Sequence, residues 1–382
     1  MIRPVHGGNL AWAATLAGCP ASAILDFSAS ISPLGPPESA LAAIQSRSSS
    51  SLTAYPDPDY GELRAALGEA LNVDPDWILP GNGSAELLTW AAWDLSELEA
   101  TYLVTPAFGD YWRALKAFGA QVLECPLELQ SLNAELLNEL VTDDLSVSNR
   151  LLVSPSLKIP VPLTLGADRG LLLNNPHNPT GLLFAREAIR PYLEHLALVV
   201  VDEAFMDFLP PQEQQSSIAA VEEFPNLVVL RSLTKFYSLP GLRIGCAIAR
   251  PDILRRWQLR RDPWPVNALA AAAAAAVVRD AAFERQTWDW LPVARRELFE
   301  GLADLPGLEP IAGAANFLLV ESSVSVTAIQ KSLLQKHRIL IRDCLSFPEL
   351  GDRYFRVAVR ERADNLRLIA GLADVCAQLS MA

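Results

Sequence analysis

The stretch Ser232–Gly245, SLTKFYSLPGLRIG, follows an apolar run, Asn226–Leu230, that reads as a buried strand. It sets one lysine, Lys235, among small hydroxyl residues, with Arg243 eight positions on. A lysine amine attacks carbonyls, and it does so at neutral pH when desolvated or flanked by another cation. Ser232, Thr234 and Arg243 are donors of the kind that collect around a dianionic phosphate. An aldehyde and a phosphate held at one place point to pyridoxal 5′-phosphate (PLP), joined to Lys235 as a Schiff base. The alternative is a strand-to-loop lysine that simply reaches solvent. Of the five lysines (Lys116, Lys158, Lys235, Lys331, Lys336), only Lys235 has such a setting.

Working outward, LALVVVDEAFMDF (Leu196–Phe208) has a continuous apolar part, as in parallel strands buried on both faces. Asp202 stands at its carboxyl end, where a carboxylate needs a partner. A protonated pyridine nitrogen is one, and it makes the ring an electron sink; a cap on the loop's own backbone is the other option. Before it, Gly170–Leu173 reads as a strand ending in NNPHNPTG (Asn174–Gly181). Two Asn-Pro pairs make a stiff turn, so Asn178 is held ready to donate to a phenolic oxygen.

Further upstream, ILPGNGSAELL (Ile78–Leu88) runs from a strand through a glycine loop into a helix. That arrangement aims free N–H groups and a partial positive charge at one point, a seat for a phosphate. Thr101–Thr105 is strand-like, and Phe108 follows its end, where it either stacks on a flat ring or packs in the core. YPDPDY (Tyr55–Tyr60) is a rigid turn presenting Tyr55, either to an anion or as a surface cap. VHGGN (residues 5–9) carries His6 and Asn9 beside two glycines that permit close backbone approach, to a ligand or to the body of the protein. Ile24–Ser28 alternates as a short strand. Helical periodicity over Glu38–Ser46 gives way to a serine-rich link, Ser46–Ser51, a candidate domain boundary. Residues 119–165 read as strands alternating with a polar helix.

Downstream, Ala268–Val278 reads as a buried helix and Asn365–Leu379 as an amphipathic one. Arg342 and Arg356 fall near sheet positions. Arg356 alternates with Phe355, Val357 and Val359, so it is either paired with an acid or waiting for a substrate anion.

The chain has 382 residues, enough for a large and a small domain, and its 51% hydrophobic and 20% charged content is globular. A net charge of −13 argues against nucleic acid or anionic membrane as a partner. Cys19, Cys125, Cys246, Cys344 and Cys376 are scattered and form no CxxC pair, so we expect free thiols, no metal site and a reducing, cytoplasmic setting. No signal peptide is visible at the N-terminus.

In this order and at these separations, NNPHNPTG, VVVDEAF and SLTKFYSLPGLRIG resemble the fold-type I PLP enzymes, in the branch of histidinol-phosphate aminotransferase, over nearly the whole chain. VHGGN, ILDFSASISPLG and YPDPDY are similar to the L-threonine-O-3-phosphate decarboxylases of cobalamin synthesis. The resemblance implies release of CO₂ from O-phospho-L-threonine, giving (R)-1-aminopropan-2-ol O-2-phosphate for the corrinoid nucleotide loop. It implies that Lys235 joins the cofactor, Asp202 holds the pyridinium proton and Asn178 contacts the ring 3-oxygen. Gly83, Ser84 and Ala85, with Ser232 and Arg243, would bind the cofactor phosphate. Tyr55 would reach that phosphate from the neighbouring subunit of a homodimer, and Phe108 would stack on the ring. Arg356 would take the substrate carboxylate. His6, Gly7, Asn9, Ser32 and Arg342 are candidates for the rest of the substrate.

Two positions depart from the pattern: Phe205 stands where many aminotransferases carry tyrosine, and Ser30 and Ser32 stand where the decarboxylases carry asparagine. The alternatives are an aminotransferase acting on histidinol phosphate and a non-catalytic PLP-fold binding protein. The expected architecture is α/β. A mainly parallel, doubly wound large domain spans residues 46–261, and a smaller α+β domain is built from residues 1–45 and 262–382.

Overall fold

The computed structural model describes residues 3–4, 6–129, 157–162 and 166–380. Most of the strand and polar-helix pattern expected within 119–165, and Val5 of the VHGGN arm, lie outside the described residues.

The strands, in chain order, are β1 (Leu25–Asp26), β2 (Ile78–Gly81), β3 (Ala100–Thr105), β4 (Val122–Pro126), β5 (Arg169–Asn174), β6 (Leu198–Asp202), β7 (Leu227–Ser232) and β8 (Gly245–Ala249). After them come β9 (Leu308–Ile311), β10 (Phe317–Ser322), β11 (Ile339–Leu340), β12 (Arg342–Asp343) and β13 (Tyr354–Ala358). Seven of them form one sheet in the order β2-β8-β7-β6-β5-β3-β4. The five strands from β7 to β4 run parallel, while β8 is antiparallel to both its neighbours. The middle strands are β-branched and apolar, and Val199, Val200, Val201, Val228 and Val229 are fully buried. Each such side chain contributes about 1.5–3 kcal/mol on leaving water.

Helices cover both faces. Ser84–Ser96, Gly109–Ala117 and Pro251–Gln258 pack on one, around Leu87, Leu115 and Trp257. Gly61–Leu71 and Arg186–His195 pack on the other. Because the central strands are parallel and in register, Ser232, Asp202, Asn174 and Thr105 all finish at one edge of the sheet. Ligands bind at that edge in open α/β sheets.

A second sheet, antiparallel in the order β12-β13-β10-β9, packs against Ala281–Ala303 and Arg362–Ser380. The N-terminal segment joins this part, since β1 pairs in parallel with β11. The serine run is not a link: the helix beginning at Glu38 continues through it to Ser51. This helix lies on the alanine-rich helix Ala268–Val277, whose short side chains let the two come close. That packing outweighs the modest helix propensity of serine.

Candidate active site

Lys235 lies just past β7, and its neighbourhood is cationic. Burial, then Arg356 and Arg243, push its amine down to about 8, against the opposing pull of Asp202. Ser32 N–H donates to the Lys235 carbonyl at 3.0 Å, and Ser238 Oγ donates to the Ser32 carbonyl at 2.6 Å, so the 28–32 segment is fastened beside the lysine. The hydroxyls of Ser30 and Ser32 are buried, and neither has a hydrogen-bond partner among the described residues.

Asp202 is buried at the end of β6. Tyr111 Oη donates to its Oδ2 at 2.7 Å and the Ala204 N–H to its Oδ1 at 3.0 Å. Burial raises its carboxyl to about 6, opposed by those two donors and by Lys235. The next residue, Glu203, belongs to a largely buried ion cluster. Its Oε2 lies 3.1 Å from Arg231 Nε, and Arg231 also pairs with Asp207. This cluster anchors the loop after β6 and so fixes where Asp202 ends. Sequence reasoning passed over both Glu203 and Arg231, although each flanks a residue it chose.

The NNPHNPTG turn is held from within. Asn174 Nδ2 donates to the Asp202 carbonyl at 2.6 Å, and the Asn178 N–H donates to Asn174 Oδ1 at 2.7 Å. Asn178 Oδ1 accepts from the Arg356 guanidinium, across 178 residues of chain. Arg356 also lies over the Phe317 ring at 4.5 Å, and Phe317 meets Phe205 edge-on at 5.0 Å. Burial lowers the Arg356 guanidinium to about 10, and no carboxylate among the described residues pairs with it. Arg342 stands directly opposite Arg356 in the β12–β13 register and donates to Ser346 Oγ at 2.7 Å.

At the edge strand, Gly83 precedes the helix Ser84–Ser96, whose N-terminus has no side-chain cap. Gly83 has φ +77°, and a Cβ there would lie 2.6 Å from Arg243 Nη2, so the glycine lets that guanidinium sit over the helix end. Ser84 and Ala85 occupy the helix's first turn. Ser232 Oγ and Thr234 Oγ1 lie 2.8 Å apart, both buried.

Phe108 sits at the start of the helix Gly109–Ala117, edge-on to Tyr111 at 5.7 Å and 5.6 Å from the His6 ring. The N-terminal arm therefore reaches the site. Gly7 makes this possible, because a Cβ there would lie 2.2 Å from the Ser28 carbonyl oxygen. The Gly8 N–H donates to Ser28 Oγ at 2.8 Å. Burial, then Arg342, lower the His6 imidazole, with Asp110 opposing and Arg113 and Lys235 adding to the effect. Asn9 caps the helix Leu10–Ala17 by accepting from Trp12 N–H at 3.0 Å, yet it also borders a small cleft with His6, Gly7 and Arg342. Tyr55 is apart from the others: it is 78% exposed and stacks on Trp264 at 4.4 Å. A larger cavity of about 470 Å³, beside Asp207, Arg231, Glu284 and Trp288, is lined by none of the residues chosen from sequence.

Tyr111 is the site residue that sequence reading missed. Its signal was present: it follows Phe108 by three positions on a helix, so the two share a face.

These residues fit the cofactor. A depressed amine, a buried carboxylate with spare lone pairs and an uncapped helix end under an arginine match its aldehyde, ring nitrogen and phosphate. Together with the sheet order they define a PLP-dependent enzyme of fold type I. The chain belongs to the class I and II aminotransferase family, whose pattern it matches over residues 22–372. It is 37% identical over 380 residues to a threonine-phosphate decarboxylase of Salmonella typhimurium, covering 98% of this chain and 97% of that one. It is 30% identical to a histidinol-phosphate aminotransferase of Ralstonia nicotianae, over 96% and 92% of the two chains. Its fold matches the crystal structure of L-threonine-O-3-phosphate decarboxylase from Porphyromonas gingivalis with a TM-score of 0.75, at 24% identity over 92% and 99% of the chains. No helix among the described residues is long and apolar enough to cross a membrane.

Proposed function

We propose that this protein is a PLP-dependent decarboxylase that converts O-phospho-L-threonine to (R)-1-aminopropan-2-ol O-2-phosphate, in cobalamin biosynthesis. The observation that carries the reading is the in-register pair Arg342 and Arg356 on β12 and β13, Arg356 acting on Lys235 and Arg342 on His6 of the N-terminal arm. A substrate with a carboxylate at one end and a phosphate at the other suits two adjacent guanidinium groups. The likeness to the Salmonella enzyme over nearly the full length supports the same choice.

When bound, the cofactor supplies an electron sink for the pair left on Cα as a bond to that carbon breaks. The chain's residues decide which bond that is. Arg356 takes the carboxylate, desolvated and steadied by Asn178 and the Phe317 face. His6, Gly7, Asn9, Ser32 and Arg342 take the phosphate end. Holding both ends would fix how the carboxylate is oriented at the site, and positioning of this kind lowers the barrier without any new chemistry. Asp202 would keep the ring nitrogen protonated. Gly83, Ser84, Ala85, Ser232, Thr234 and Arg243 would hold the cofactor phosphate, and Phe108 would cover the ring.

The working unit is a cytoplasmic homodimer, in which Tyr55 of one subunit reaches the phosphate of the other. The exposure of Tyr55 supports this. The boundary expected at residue 46 falls inside the helix Glu38–Ser51, so the large domain begins within or after that helix and extends to residue 261, with β1 and residues 262–382 in the small one.

The test is incubation with O-phospho-L-threonine, following CO₂ and the amine. Amino transfer to 2-oxoglutarate with no gas evolved would favour the histidinol-phosphate aminotransferase reading and overturn this one. A purified protein that stays colourless with added PLP would point to a non-catalytic role.

A further inference from the structure

We propose that Tyr111 is a positioning residue for the cofactor ring: its hydroxyl keeps the Asp202 carboxylate aimed at the ring nitrogen and ionised. The proposal rests on the PLP reading above and deepens it.

The geometry is specific. Tyr111 is 2% exposed, and its hydroxyl donates to Asp202 Oδ2 at 2.7 Å. The Ala204 N–H takes Oδ1. Each carboxylate oxygen therefore has one donor from the protein and keeps a lone pair for a further N–H. With both oxygens pinned, the carboxylate plane cannot rotate about χ2.

The charge state follows from the groups around it. Asp202 is faced by Tyr111 and Asp110 from the helix Gly109–Ala117, by Lys235 from beyond β7, and by the Ala204 N–H. Burial and Asp110 favour the neutral acid, whereas the two donors and Lys235 favour the carboxylate. Tyr111 itself does not give up its proton, since burial and then Asp202 raise its phenol well above its usual range. It is a permanent donor.

The same helical turn carries Phe108, three residues earlier, edge-on to Tyr111. One turn thus places both the face proposed to cover the ring and the donor behind the ring's carboxylate. The sheet cannot supply that donor itself. Asp202 ends its strand, and the side chain beside it in register, Asn174, is committed to the Asp202 backbone carbonyl.

The test is Tyr111→Phe, which deletes one oxygen and keeps the ring. Expected in the holoenzyme are a cofactor dissociation constant raised about tenfold or more, since a hydrogen bond to a charged group is lost, and an acid limb of kcat/KM moved to higher pH. Fluorotyrosine placed at position 111, a stronger donor with an unchanged shape, is expected to move the limb the other way. It keeps the question open to measurement should the phenylalanine variant fold poorly. Unchanged cofactor affinity and an unmoved acid limb overturn the proposal. So does a fall in melting temperature with no change in the limb, which marks a packing role only. If the wild type takes up no PLP and borohydride fixes nothing to Lys235, the cofactor reading fails first and this proposal with it; uptake by the wild type with an indifferent Tyr111→Phe removes this proposal alone.

Discussion

Replacing Lys235 with methionine removes the amine while keeping most of its length. The nucleophile in Schiff-base formation is the neutral amine. With its value lowered to about 8, Lys235 is about 9% neutral at pH 7, against about 0.03% for an ordinary lysine, a gain of about 300-fold. The rate at which the apo-protein takes up PLP covalently is therefore expected to rise with pH and level off near 8, well below the usual lysine range. The same shift has a cost in stability. An unfolded chain protonates this lysine more readily than the folded one does, so below pH 8 the charged amine weakens the fold by about 3 kcal/mol, a penalty that fades between pH 8 and about 10.5. Apo Lys235→Met is expected to be more stable than apo wild type at pH 7, with the gap closing as the pH rises through that window. The assays are borohydride reduction followed by peptide mass analysis, stopped-flow uptake at a series of pH values, and urea unfolding of both apo-proteins. A borohydride-fixed cofactor on Lys235→Met, or an uptake rate still climbing at pH 10, would refute the reasoning.

Three further perturbations separate the parts of the site. Arg356→Ala is expected to raise the substrate KM between tenfold and a hundredfold, because a charge-assisted bond is worth about 1.5–3 kcal/mol. Cofactor affinity should hold, and an unchanged KM would mean that the guanidinium serves only Asn178. Gly83→Ala puts a Cβ 2.6 Å from Arg243 Nη2 at φ +77°, a conformation costing about 1–3 kcal/mol. Equilibrium dialysis should show weaker binding of pyridoxal phosphate and little change for pyridoxal; equal losses for both would detach Gly83 from the phosphate. Gly7→Ala places a Cβ 2.2 Å from the Ser28 carbonyl oxygen, which unseats the arm. We expect a higher substrate KM with PLP affinity intact, and wild-type kinetics would exclude the arm from substrate binding.

Much of this was legible in the chain because the large sheet is built from local signals. Apolar runs such as Leu198–Asp202 and Leu227–Ser232 announce buried parallel strands, and each functional residue lies at or just beyond the strand's end. The serine run was misread because propensity is local while helix stability is not: residues 46–51 are weak helix formers carried by a helix docked on Ala268–Val277. The contacts that complete the site are of a different kind. Tyr111 meets Asp202 across 91 residues and Asn178 meets Arg356 across 178. Nothing in the spacing of either pair predicts its meeting, because the loops between them absorb any separation.

This division between local and distant signals bears on how the site discriminates. The half we propose for the cofactor is assembled mainly at the ends of β6 and β7 and after the edge strand β2, positions that the large sheet sets. The half we propose for the substrate is brought in by the N-terminal arm and by β12 and β13, through Gly7 against Ser28 and Arg342 beside Arg356. Decarboxylation and amino transfer need the same sink and differ in which bond at Cα stands upright, so the choice between them must lie in that second half. The buried hydroxyls of Ser30 and Ser32, which have no partner among the described residues, fall in this proposed half as well. A buried donor without a partner costs about 1–3 kcal/mol, and the segment that bears Ser32 is tied to the backbone of Lys235 at 3.0 Å. A bound substrate or water that satisfies these hydroxyls would recover that cost within the active site, and would do so beside the lysine itself.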